Sequence, residues 1–226
     1  MTAPPTEDRR AIVRDSLGVG IATGLYGVSF GAVAVVSGLS VLQTCVLSLL
    51  MFTGASQFAL VGVLAGGGSA LSASATALLL GTRNTLYGLR IAPLLGFRAA
   101  QRVGAAHLLI DESTAMSVNR TTRTGARTGF LVTGGSIFVL WNLFTLLGAI
   151  GGAAIGDPRT YGLDAAVGGA FLALLWPQVK DTRSRVVAVL AVAVALGAVP
   201  VVPAGVPVLA AGGVALLVGL LWKDPA

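Results

Sequence analysis

Between Asp15 and Arg83 the chain contains no Asp, Glu, Lys, Arg or His, and further uncharged runs cover 128–156, 165–179 and 186–222. A helix crossing a bilayer needs about 20 apolar residues. The first run therefore holds about three such segments and the last about two. The length criterion predicts spans near 17–37, 41–65, 70–92, 129–153, 161–179, 186–201 and 204–222. Gly38-Leu39-Ser40 and Gly66-Gly67-Gly68-Ser69 read as tight turns, because glycine adopts the positive φ that such turns use. Asp157-Pro158-Arg159 and Lys180 to Arg185 read as short polar loops. The longest polar segment, 96–128, carries five arginines with His107, Asp111 and Glu112.

Composition agrees with that pattern. Only 11% of the 226 residues are charged, against about 25% in a soluble domain, and the mean hydropathy is +0.87. The expected fold is an all-α polytopic membrane protein of six or seven membrane segments, some broken or re-entrant. Residues 1–15 form a cytoplasmic tail and 16–226 a single transmembrane domain. The 31 glycines suit helices that pack backbone against backbone. Cys45, the single cysteine, excludes an internal disulfide and reads as a packing residue. Arg9, Arg10 and Arg14 flank an apolar run too long for a signal peptide core. The net charge of +6 follows the positive-inside rule, without the basic, aromatic-interleaved stripe of a nucleic-acid binder. The expected location is the bacterial cytoplasmic membrane, in several passes.

Orientation is less consistent. Counting back from Lys223 puts the 98–127 segment inside, whereas three full spans after a cytoplasmic N-terminus put it outside. Either one early segment does not cross, or 101–118 crosses despite its charges, or the N-terminus is outside. Gly81-Thr82-Arg83-Asn84 favours the first, by breaking 70–95 into a re-entrant pair that lines a cavity. A faint internal repeat, Tyr26-Gly27 with the Gly54 break against Tyr161-Gly162 with the Pro203–Pro207 break, raises an inverted repeat.

Four stretches carry candidate chemistry. In "MFTGASQFAL" (51–60), Gly54 and Ala55 remove bulk while Ser56 and Gln57 supply hydrogen-bonding groups. A helix restarting there would present free N–H groups to a carboxylate; a small-residue helix crossing explains the same residues. Arg83, Tyr87 and Arg90 share a helix face, with Asn84 beside them. Arg83 either holds a carboxylate bidentately or snorkels to the interface. His107 and Asp111 stand i, i+4 with Glu112 adjacent; with Asp164 these acids are the groups available to relay protons. The other reading is a solvated helix with acids at its start. One histidine and two acids resemble no zinc or facial-triad set, so no metal or other cofactor is expected. Asn142, after Trp141 in an uncharged run, must find a partner in protein or a cavity. A Ser56/His107 protease is set aside because His107 lies in an arginine-flanked segment, and no enzyme activity is expected.

The blocks "GLYGVSFGAVAVVSGLS", "FTGASQFA", "LYGLRIAPLL", "HLLIDESTAM", "GDPRTYGLDAA", "FLALLWPQVK" and "PAGVPVLAAG" resemble the AzlC family in order and over nearly the whole chain. That resemblance implies the large subunit of a branched-chain amino acid exporter, driven by protons and working with a small AzlD-like membrane subunit. A passive pore, an exporter of another small amphipathic metabolite, and an accessory scaffold are the alternatives. One departure is Gly81, where the family pattern leads us to expect Asn. A zwitterion needs an anion-holding end, assigned to residues 54–57 and Arg83, and a cation-holding end at broken-helix carbonyls or Asn142. One methylene is worth only about 1–3 kcal/mol in a hydrophobic pocket, so a broad hydrophobic amino acid range is expected.

Overall fold

The computed structural model describes residues 7–154, 172, 176, 179–203 and 205–222. The described secondary structure is helical: α1 (Arg9–Val36), α2 (Val41–Leu50), α3 (Gly54–Ala65), α4 (Ala70–Leu95), α5 (Ala99–His107), α6 (Asp111–Val118), α7 (Arg123–Ala154), α8 (Thr182–Ala198) and α9 (Val206–Leu221). The expected span at 161–179 lies outside the described residues except at 172, 176 and 179, and the Tyr161-Gly162 element of the repeat lies outside them. The chain divides into two compact units. One comprises Met1–Val35, Leu39–Thr53 and Gly81–Gly156; the other comprises Val36–Gly38, Gly54–Leu80 and Asp157–Ala226.

The first unit is organised on α1 and α7, both long and apolar enough to cross a bilayer. Small residues recur every three or four positions along α1 at Gly20, Gly24, Gly27 and Gly31, so they form one stripe. A Cβ at Gly24 would come within 2.5 Å of the Leu140 side chain, and one at Gly27 within 2.5 Å of the Trp141 carbonyl oxygen. At Gly31 it would fall on the Thr145 carbonyl, and at Gly148 on that of Val28. The partner numbers rise together, so the two helices run parallel. Phe30 stacks on Trp141 within this seam, centroids 6.1 Å apart.

Parallel helices bring their N-terminal ends together. The Glu7 carboxylate accepts from the Thr121 N–H at 2.9 Å and the Thr122 hydroxyl at 2.7 Å. These two donors hold the Glu7 carboxyl below its ordinary value. The C-terminus of α4 reaches the same end, where Arg127 donates to the carbonyls of Leu95 at 2.6 Å and Gly96 at 2.9 Å.

Two interruptions meet at the middle of α7. A capping box starts α2: the Gln43 N–H donates to the Ser40 hydroxyl at 3.1 Å, and the Ser40 N–H to the Gln43 side chain at 2.8 Å. The helix then runs antiparallel to α7, since Ser48 bonds Thr145 while Phe52 packs on Phe138. It stops after Leu50, and Phe52 lies beyond its end. From the other end, α5 leads to His107, which also packs on Phe138, centroids 5.3 Å apart. The chain turns through Leu108–Ile110 and returns as α6. Ser113 closes that turn, accepting from the Ile110 N–H at 3.0 Å and donating to the Leu108 carbonyl at 2.8 Å. Gly134 admits the turn, since a Cβ there would lie 2.9 Å from the Leu108 carbonyl oxygen.

Two expectations are therefore corrected. Residues 70–95 form one continuous helix rather than a pair broken at 81–84. The polar residues there have a neighbour in α6, so the backbone has no need to open. His107 and Asp111 do not share a helix face: the first ends α5 and the second starts α6.

In the second unit α8 and α9 pack together. Asp181 caps α8, accepting from the Ser184 N–H at 2.9 Å. Gly205, at φ +93°, turns the chain into α9; a Cβ there would lie 2.6 Å from the Ser72 hydroxyl and 2.9 Å from Val63. Pro207 in the first turn fits that start.

Candidate functional site

Arg83 lies twelve residues before Leu95, about 18 Å along the helix from the arginine-rich end at 1.5 Å per residue. Its guanidinium meets the Asp111 carboxylate at 3.1 Å. Asp111 opens α6, just after the turn that reaches the middle of α7. Tyr87, one turn beyond Arg83, also interacts with the Asp111 carboxyl, and Glu112 lies within electrostatic reach of both charges. So the structure brings together Arg83, Tyr87, Asp111 and Glu112, while Asn84 follows Arg83 on α4 with no contact to the acids shown. Tyr87 is the member whose place here its helical spacing anticipated.

The cluster is not saturated. Arg83 Nε, Asn84 Oδ1, Asp111 Oδ1 and Thr114 Oγ1 are buried without a hydrogen-bond partner. A buried polar atom left unpaired costs about 1–3 kcal/mol, so the ion pair and the residues next to it in sequence keep unused hydrogen-bonding capacity. Thr114 carried no signal in the sequence beyond its place after Glu112. Asn142 donates to the Phe138 carbonyl at 2.8 Å while its own Oδ1 is buried and unpaired. It sits one turn from the aromatic contact of Phe52, His107 and Phe138.

Gly54, Ala55, Ser56 and Gln57 fall in the second unit, where they form the first turn of α3. The apolar run does break at this point, as "GASQ" suggested. Ser56 and Gln57 are 1% and 0% exposed, and the Ser56 hydroxyl lacks a partner. The positive end of a helix dipole lies beside it. Asp164 lies outside the described residues.

Comparison with known proteins agrees with the helical, apolar architecture. The AzlC protein family matches residues 18–155, which run from α1 through α7. An uncharacterized membrane protein of Archaeoglobus fulgidus is 35% identical over 170 residues, 74% of each chain. One of Helicobacter pylori strain 26695, named in the same words, is 25% identical over 175 residues, 76% of each chain. No solved structure matches. With its family match covering more than half of the sequence, the chain belongs to the AzlC family and is a membrane protein.

Proposed function

We propose that this chain is the large subunit of a secondary transporter that exports branched-chain and related hydrophobic amino acids. It works with a small AzlD-like membrane subunit in the cytoplasmic membrane and is driven by protons. The observation that carries the reading is the Arg83–Asp111 pair, surrounded by unpaired polar atoms and set far from either end of α4. Ionisable groups at such depth are costly and mark substrate or proton pathways.

Arg83 alternates between two carboxylates. With Asp111 ionised it holds Asp111; when Asp111 takes a proton, Arg83 is released to the substrate carboxylate. Glu112 passes the proton onward, with Asp164 as a further acid. Within the first unit Asn84 and Asn142 offer carboxamide oxygens to an ammonium; within the second, the first turn of α3 (Gly54, Ala55, Ser56, Gln57) separately offers N–H groups to an anion.

The test is uptake of a panel of amino acids into inverted vesicles carrying both subunits, with and without a pH gradient. Wild type should accumulate Leu, Val and Ile only when the gradient is present. Arg83→Gln should lose transport, and Asp111→Asn should keep counterflow exchange while losing gradient-driven accumulation. Accumulation by Asp111→Asn equal to wild type would sink the coupling role. Flux that ignores a protonophore would favour the passive pore.

A further inference from the structure

The last two turns of α4 face α5 across an apolar groove of about 170 Å³, with Phe130 of α7 along one side. Small residues open it: Gly88 and Ala92 stand i, i+4 on one wall, Ala105 and Ala106 on the other. For scale, a dry cavity of about 150 Å³ accepts a benzene-sized group. The mouth passes Ala92, Ala106 and Arg102, all exposed.

Three guanidinium groups gather at the end of the groove around Phe97. Arg102 donates to the Phe97 carbonyl at 2.9 Å. Arg127 lies 5.1 Å above the Phe97 ring. The Arg123 guanidinium lies against Gly96, 3.0 Å from where a Cβ would stand. Among the described residues none of these three arginines forms an ion pair, and Glu7, the acid at this end, is held instead by Thr121 and Thr122. The groove is thus apolar along its length and lined with positive charge at its end.

A ligand complementary to both features carries a negative charge at the head of an apolar chain. We propose that the groove holds one acyl chain of an anionic phospholipid from the leaflet at the arginine-rich end, with its phosphate on Arg102 and Arg123. This site is separate from Arg83 and Asp111, and stands whether or not the transport reading does.

The test is native mass spectrometry of the full chain in detergent, titrated with phosphatidylglycerol or with phosphatidylcholine of identical acyl chains. Wild type should retain one phosphatidylglycerol in preference to phosphatidylcholine by roughly fivefold, the effect of about one basic side chain at an anionic surface. Arg102→Gln with Arg123→Gln should bring that preference close to one. Ala106→Phe should lower retention of both lipids; Ala106→Leu, a milder filling at the exposed mouth, should do so in part if the larger ring impairs folding. Equal retention of both lipids by wild type would overturn the proposal. So would full retention in both filled variants, or displacement of the lipid by glycerophosphoglycerol at equal concentration, since the acyl chain would then contribute nothing.

Discussion

At the scale of single residues, the seam between α1 and α7 turns on which glycines have a neighbour. Gly31 and Gly148 face a partner backbone carbonyl with no room for a methyl group, whereas Gly18 and Gly151 have nothing near. Overpacking costs about 1–3 kcal/mol where the neighbours cannot yield, and backbone yields less than a side chain. Gly31→Ala and Gly148→Ala should each destabilise the purified chain by about that amount in a detergent unfolding titration. Gly18→Ala and Gly151→Ala should be neutral or gain up to about 1 kcal/mol from helix propensity. Equal losses at all four positions would show that the seam is not packed as described. The glycine stripe was legible in the sequence as small residues at helical spacing, but its partner was not. Nothing local distinguishes Gly20 from Gly18; only the approach of α7 does. Arg83 shows the same limit from the other side. Its polar company looked like a break in the helix because its partner, Asp111, is 28 positions away in the chain.

At the scale of elements, the turn between α5 and α6 decides where Asp111 sits. The segment contains arginines, a histidine and two acids, and read by composition it belongs in water. Its turn nevertheless lies against Gly134 and Phe138, near the midpoint of a 32-residue helix. The fold tolerates this because Ser113 satisfies both the Ile110 N–H and the Leu108 carbonyl, groups that a chain reversal would otherwise leave bare. Ser113→Ala removes both bonds in a fully buried position. Leaving those groups unpaired costs about 1–3 kcal/mol, which at 1.4 kcal/mol per factor of ten means about five- to 140-fold faster hydrogen exchange at the Ile110 amide. Unchanged exchange there would show that the turn is held by packing alone. The i, i+4 spacing of His107 and Asp111 misled because it presumes a continuous helix. The apolar Leu108–Leu109–Ile110 gave no sign of the turn, which depends on a serine three residues further on and a glycine in another helix. By contrast, the break before Gly54 was legible because Gly, Ala, Ser and Gln are poor choices for a lipid-facing surface.

At the scale of the whole first unit, parallel packing of α1 and α7 predicts which of the two orientation counts holds. Glu7 bonds to Thr121 and Thr122, and the end of α4 bonds to Arg127, so the N-terminus, the α4 end and the arginine-rich segment share one side. An even number of crossings is therefore predicted between Glu7 and Thr121. The α5–α6 pair contributes none, because it enters from the arginine-rich end and returns to it. Eight arginines (Arg9, Arg10, Arg14, Arg98, Arg102, Arg120, Arg123 and Arg127) then lie on the same side, and the positive-inside rule predicts that side to be cytoplasmic. Single cysteines test this directly in a Cys45→Ala background. Asp8→Cys, Ala99→Cys and Thr124→Cys should resist an impermeant maleimide in intact cells and react once the membrane is opened. Ala154→Cys, at the far end of α7, should react from outside. If Asp8→Cys and Thr124→Cys label from opposite sides, α1 and α7 do not run parallel in the membrane. The stripe of glycines, the Glu7 contact and the shared end of α4 would then all fail together, because each places residues of that one side in contact.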